Sequence, residues 1–356
     1  GTLYGADVDW FKEVTREVPV SQQHNLAITG GNETFSHRTM FFVDLNNGLL
    51  KNNWSNKYLV RTNISQKVLG NLLHLDYNLS YGERKYSPAN YDIFYQAFVR
   101  NPTSPVYDPT NEYSGGYTYL EGVDYYNPVA MLNERIREGK TNDFSGNMRA
   151  TLHLTKSLNW SNLLAADLSD WQEQTYWKKY YPSRIGRGGV AEIDNGRYIS
   201  KQFESTLNYT KSVGKSDVQA LGGYTFQELV SNSSYMVNSG FDTDYYTWDN
   251  IGAGTAVGKV TAEMGSYKNQ SRLISFFGRI MYNYDQRFLA SVSLRREGSS
   301  RFGKNNKWGW FPAASFGWRI NREHFMENIS WIDDLKFRAG YGVTGNQDFD
   351  DYKSLT

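Results

Sequence analysis

The chain of 356 residues contains no cysteine. That excludes disulfide frameworks and thiolate metal sites together, and it suits a route through an oxidising compartment. Long apolar runs are missing too, since none approaches the roughly 18 residues that a membrane-crossing helix needs. The mean hydropathy of −0.63 excludes helical spans but not a barrel, whose strands average lipid-facing with water-facing positions. Charge of one sign is lacking as well: 38 Lys and Arg against 37 Asp and Glu leave +1, so neither nucleic acid nor an acidic surface is expected as partner. Residues 1–5 carry no charged or apolar leader pattern, and the last residues stop just after a strand signal. The chain therefore reads as an internal piece of a larger one, without signal peptide or terminal strands.

What is present is a period of two. Between residues 287 and 347, Phe288, Ala290, Val292 and Leu294 alternate with Leu289, Ser291, Ser293 and Arg295. Ala314, Phe316, Trp318 and Ile320 alternate with Ser315, Gly317, Arg319 and Asn321; Leu335, Phe337, Ala339, Tyr341 and Val343 alternate with Lys336, Arg338, Gly340, Gly342 and Thr344. Each run is a strand with one greasy face and one wet face. The wet face keeps arginine and lysine beside serine and glycine, which a soluble core would reject and a water-filled lumen accepts.

Upstream, strands are expected near 24–30, 37–45, 57–66, 72–82, 147–156, 160–171, 202–211, 218–228 and 272–284, preceded by a helical turn around Trp10-Phe11. Short turns such as Gly31-Asn32-Glu33-Thr34 alternate with long loops over 83–143, 172–199 and 230–270. The fold class expected is all-β, an antiparallel transmembrane barrel segment of about twelve strands, with short periplasmic turns and long extracellular loops. Tyr81, Trp160, Tyr209, Tyr282, Tyr284, Trp308, Trp310 and Trp318 fall near strand ends, where aromatic girdles form.

Catalysis has little to stand on. The five histidines sit on separate strands or connections, with neither a His-Glu-x-x-His spacing nor a nucleophile elbow. Asp7/Asp9 and Asp242/Asp244 lack the glycine and distal glutamate of a calcium loop. Gly186-Arg187-Gly188-Gly189 lacks the strand-to-helix context of a phosphate cradle. No catalytic residue, metal ligand or cofactor is therefore expected. The functional signal lies in the loops, where aromatic faces neighbour carboxylates. Trp171, Tyr176, Trp177, Tyr180 and Tyr181 cluster in one, and Asp242, Asp244, Tyr245, Tyr246 and Trp248 in another. Such surfaces suit oligosaccharides, whose rings stack while hydroxyls hydrogen-bond, and would also take peptides. The competing use of these aromatics is to pack the loops together.

Several signatures carry a family resemblance. Arg295-Arg296-Glu297-Gly298-Ser299-Ser300-Arg301-Phe302-Gly303, then Trp308-Gly309-Trp310-Phe311-Pro312, Gly317-Trp318-Arg319 and Tyr341-Gly342-Val343-Thr344-Gly345-Asn346-Gln347 resemble, in order and spacing, the SusC/RagA-like family of TonB-dependent outer-membrane transporters of Bacteroidetes-type bacteria. Glu297 stands where that family usually has aspartate. More weakly, Asp9-Trp10 followed by Gln23-His24-Asn25-Leu26 resembles the opening of the family's barrel past its plug. The resemblance implies a barrel of about 22 strands in the bacterial outer membrane, with an N-terminal plug lying outside this piece. It implies a SusD-like surface lipoprotein as lid, the TonB-ExbB-ExbD complex acting through the missing N-terminal part, outer-membrane lipid around the wall, and a glycan or peptide as cargo. The function expected is TonB-dependent uptake of oligosaccharides or peptides. The alternatives are a secreted all-β glycan-binding module or adhesin without transport, and an outer-membrane enzyme.

Overall fold

The computed structural model describes residues 5–121, 125–257, 263–327, 329 and 331–347. Small parts of two expected loops, 122–124 and 258–262, and residues 348–356 lie outside these. Twelve strands form one antiparallel sheet in chain order: β1 (Ser21–Gly31), β2 (Phe35–Asn47), β3 (Trp54–Val68), β4 (Leu73–Ser87), β5 (Arg135–His153), β6 (Leu158–Trp177), β7 (Val190–Val213), β8 (Ser216–Ser239), β9 (Glu263–Tyr284), β10 (Phe288–Ser299), β11 (Trp308–Arg319) and β12 (Lys336–Gly342). Every strand read from alternation is there. The long loops are narrower than expected, at 88–134, 178–189 and, as far as it is described, 240–257, because β4 to β9 run past the stretch in which apolar and polar residues alternate.

Turn chemistry sets the short end. The Asn32 side chain accepts from the backbone N–H groups of Thr34 and Phe35, both at 2.9 Å, which closes β1 on β2. Asp285 and Gln286 take φ of 52° and 53°, the left-handed pair that a tight hairpin requires. One connection departs from the expected rule: residues 320–335 between β11 and β12 lie at the short-turn end, yet carry two 3-10 turns, Ile320–Arg322 and His324–Met326.

Directly paired residues share a face, so the register sorts the side chains. One row across eight strands reads Leu26, Phe41, Val60, Tyr81, Phe144, Leu168, Ile199, Val230. A row on the opposite face, across eleven strands, reads Gly31, Ser36, Ser65, Asp76, Arg149, Leu163, Glu204, Thr225, Ser275, Glu297, Gly309. Phe288, Phe316 and Phe337 take the greasy face, with Phe288 stacked 6.5 Å from Phe316 and 6.3 Å from Trp318. Arg295, Arg319 and Arg338 take the other. Two cavities at the level of the apolar band are lined by the polar face, around Arg149, Glu204 and Thr206 and around Ser36, Asp76 and Asn78, so that face is the concave one at this level.

The greasy face has no protein to cover it. Leu26, Leu164, Ile280 and Val292 are 60, 56, 58 and 61 % exposed. Leaving a large apolar side chain in water forfeits about 2 kcal/mol. About a dozen such residues would therefore cost more than the roughly 5–15 kcal/mol by which proteins are stable. Hydrocarbon is the environment that removes the cost. The girdle residues agree: Trp160, Tyr209, Tyr282, Tyr284 and Trp318 all lie on this face toward the short turns, and Tyr81, Trp308 and Trp310 toward the loops.

A dry core exists only at the loop end. There α1 (Trp10–Val14), α2 (Asp92–Val99) and α3 (Pro128–Asn133) pack with Leu50, Tyr117, Trp177, Tyr181 and Val190. Asp9 caps α1 by accepting from the Lys12 N–H at 3.1 Å, and Asn127 caps α3 through the N–H groups of Val129 and Ala130. The Trp10 indole N–H donates to the Asn101 carbonyl, so α1 belongs to the loop cluster and β1 descends from it to the short turns.

Strands β1 and β12 are unpaired on their outer sides among the described residues, and such edges recruit other strands. The isolated 356-residue chain, refolded in detergent, is expected to run as oligomers by light scattering. A monodisperse monomer would show that the sheet needs no further strands.

Candidate functional site

Above the lipid-facing band the strands continue as a wall that meets water on both sides. On its inner face Trp171 lies over Gly196, where an added Cβ would come within 2.3 Å of the indole ring. The glycine thus lets the indole lie flat against the wall, 38 % exposed toward the lumen. Tyr86 lies likewise over Gly139, and its hydroxyl reaches Glu173, which pairs with Arg137. Ser145 and Ser169 donate to Asp167 and Asp143 at 2.5 and 2.6 Å. The inner rim therefore offers flat aromatic faces among carboxylates and hydroxyls, which is the chemistry of a sugar or peptide platform.

The ten candidate residues divide. Tyr176, Trp177 and Tyr181 are 0, 8 and 6 % exposed and do not face a ligand. Tyr176 packs edge-on to Phe241 at 5.7 Å, and its hydroxyl donates to Asp244 Oδ1 at 2.8 Å. Trp177 is covered by the Arg184 guanidinium, 4.0 Å from its ring centroid, while Trp248 packs half-buried beside Phe241. These residues clamp the loops rather than line a site. The exposed remainder is Trp171, Tyr180, Asp242, Tyr245 and Tyr246, with Tyr245 and Tyr246 edge-to-face at 5.5 Å. Lys179 Nζ donates to the Asp242 carbonyl at 2.7 Å, tying the two loops together.

The glycine run has a structural use. Gly188 sits so close to Gly240 that a Cβ would lie 3.2 Å from its Cα, and a Cβ on Gly189 would meet the Tyr176 hydroxyl. Phe241 N–H donates to the Gly188 carbonyl at 2.7 Å. These glycines allow two loop backbones to touch, which spacing in the sequence alone did not reveal.

The motif residues meet at the loop end of β10 and β11. Glu297 accepts from Ser275 at 2.9 Å and from Arg295 Nε at 2.6 Å. The Phe311 ring fills the space where a Cβ on Gly309 or Gly345 would be, and Arg301 Nη1 donates to the Gln347 carbonyl at 3.0 Å. A cavity of about 280 Å³ remains between them. This is a joint that fixes the rim. No group of three or more metal-ligating side chains occurs among the described residues.

No protein-family model matches the chain. The TonB-dependent receptor P3 of Formosa agariphila is 30 % identical over 269 residues, 74 % of this chain and 26 % of that protein. The TonB-dependent receptor SusC of Bacteroides thetaiotaomicron is 26 % identical over 368 residues, 97 % of this chain and 36 % of that protein. The chain belongs to the SusC/RagA-like family of TonB-dependent receptors. Among solved structures, the RagAB peptide importer in its open-open state superposes with a TM-score of 0.80 over 99 % of this chain and 39 % of that one, at 21 % identity. The E. coli K12 ferric-catecholate import receptor Fiu, in its open form, gives 0.53 at 10 % identity over 91 % of this chain and 52 % of that one. Both speak to the fold. The chain spans about a quarter to a third of the length of the curated relatives it matches. TonB-dependent receptors are outer-membrane barrels, and the receptor wall described here is of that kind.

Two predictions follow from the clamp. Tyr176→Phe removes a hydrogen bond to a carboxylate, a loss of about 1.5–3 kcal/mol; hydrogen exchange should rise in residues 240–257 while the barrel strands stay protected, and unchanged exchange would refute the clamp. Burial pushes the Glu134 carboxyl at the end of α3 above its usual range, with Lys178 opposing. A raised folded value gives stability that is full below the unfolded value of about 4.3 and lost as pH rises through the folded one. Glu134→Gln should therefore slow exchange in 88–134 at pH 7 but not at pH 4; equal effects at both would contradict burial of the charge.

Proposed function

We propose that this receptor wall belongs to an importer that carries oligosaccharides across the outer membrane, gated by a plug and driven through TonB. The cargo would first be held at the loop end, against Trp171, Tyr180, Tyr245 and Tyr246, with Asp242 nearby. The single observation that carries this reading is the Trp171–Gly196 pair, a flat aromatic platform on the inner face among carboxylates and hydroxyls. Sugar rings stack on such a face, and each stacking contact contributes about 0.5–1.5 kcal/mol. Peptides are the second cargo class, favoured by the likeness in fold to a peptide importer. The part proposed for the wall is to bind and to pass on.

The lid belongs to the same proposal. Helix α2 buries Ile93, Gln96 and Ala97 but leaves Tyr91, Tyr95 and Phe98 exposed at 76, 59 and 77 %. An aromatic stripe of that spacing on an outward helix suits a protein partner. A SusD-like surface lipoprotein fits there as the lid over the lumen. A secreted lectin or adhesin would share the aromatic platform but not the uncovered greasy wall.

The test uses the full-length receptor with its lipoprotein. Trp171→Ala should weaken binding of the cognate oligosaccharide roughly tenfold, and Gly196→Ala, which unseats the indole, should do the same with the barrel intact by heat-modifiability. Full binding and uptake in both variants would rule out the platform; loss of peptide uptake alone would move the proposal to its second cargo.

A further inference from the structure

On the outer face, seven consecutive strands change character toward the loops, β7 to β10 lower along the paired rows than β4 to β6. Going toward the loops, the outward residues pass from Tyr81 to Glu83 on β4, Phe144 to Asn142 on β5 and Leu168 to Asp170 on β6. They pass from Phe203 to Lys201 on β7, Phe226 to Glu228 on β8, Ile274 to Arg272 on β9 and Leu294 to Arg296 on β10. Below these positions lies the apolar band; above them the outward face carries charge, with Ile199 and Val230 among the charged positions. Seven cations stand there (Lys85, Lys140, Arg197, Lys201, Lys268, Arg272 and Arg296) against four carboxylates (Glu83, Glu138, Asp170 and Glu228).

Three of the four carboxylates are already engaged, and Glu138 makes no ion pair among the described residues. Glu83 pairs with Lys140 at 2.8 Å and with Lys85, Asp170 with Arg197 at 2.5 Å, and Glu228 with Arg272 at 2.7 Å. Lys201 and Lys268 make no ion pair among the described residues. Arg296 lies over the rings of Trp308 and Trp310, at 4.8 and 5.2 Å, at the girdle. A shallow groove of about 790 Å³ runs across this region, lined chiefly by outward residues such as Lys140, Asp170, Gln172, Arg197, Asn232 and Lys268, with Trp171 and Gly196 of the inner face also at its floor. The Asn232 amide oxygen has no hydrogen-bond partner.

We propose that this groove is a docking site for the phosphorylated sugar headgroup of an outer-leaflet glycolipid, whose acyl chains lie on the band beneath. Cations directly above an apolar band match an amphiphile with an anionic head, and amides beside them match sugar hydroxyls. A soluble anion would need the cations but gain nothing from the band. The inference uses the receptor's place in the outer membrane, and its test reads lipid binding rather than cargo.

The experiment takes the full-length receptor in phosphatidylethanolamine nanodiscs and adds monophosphoryl lipid A, counting bound molecules by native mass spectrometry. The triple variant Lys140→Glu, Lys201→Glu, Lys268→Glu should bind roughly 10- to 100-fold more weakly, with unchanged heat-modifiability. Lys268→Gln alone should give a smaller loss that disappears at high salt. Dephosphorylated lipid A should bind the unaltered receptor as weakly as phosphorylated lipid A binds the triple variant. Equal binding by receptor and triple variant would overturn the proposal, as would equal displacement by inorganic phosphate. So would a variant that keeps lipid A but sheds a protein subunit, since the groove would then be a protein interface. Cargo uptake is not read, so failure here leaves the import proposal standing.

Discussion

The structure depends on the contact its outward side chains make with hydrocarbon. Across twelve strands the backbone is paired strand to strand, and the apolar side chains on one face touch only their neighbours on that face, with no second layer of the chain over them. In water that arrangement would be unstable by more than a whole domain's stability; in lipid it is the low-energy state, provided no backbone group is left unpaired. Everything else is arranged around it. The polar face is turned inward because charged and hydroxylated side chains need water, and the aromatic girdles mark where the two solvents meet.

The part of the chain outside the membrane follows ordinary soluble-protein physics. Helices α1 to α3 bury Trp10, Val14, Ile93 and Leu132 in a compact cluster beside the rim. A second, smaller cluster around Tyr176, Ala191 and Phe241 holds two loops face to face. The glycines at 188, 189 and 240 make that approach possible, and the Tyr176–Asp244 hydrogen bond fixes its register. A rigid rim of this kind leaves the exposed aromatics on a defined surface, which a binding role requires.

The wall was legible in the sequence because each strand within the membrane has two different neighbours, oil and water, and period two is the imprint of that difference. Phe288, Phe316 and Phe337 could be placed against Arg295, Arg319 and Arg338 on this ground alone. The same reasoning explains where the reading fell short. Beyond Leu168, Ile199 or Val230 both faces meet water, so residues such as Asn195, Arg197, Asn232 and Ser234 carry no alternation, and strands of 24 residues looked half that length. Among the loop aromatics, Tyr176 and Tyr245 are indistinguishable by composition, although one is buried and the other 84 % exposed. Only the neighbouring glycines hinted at a close contact, and their meaning needs the partner loop.

The most direct test of the two-sided wall is spin labelling at single cysteines introduced into these 356 residues, which have none of their own. Labels placed in turn at positions 290 to 295 of the receptor in liposomes should alternate. Collisions with dissolved oxygen should dominate at Ala290, Val292 and Leu294, and collisions with a water-soluble nickel chelate at Ser291, Ser293 and Arg295. A uniform response along β10, or one with the two sets exchanged, would contradict the account.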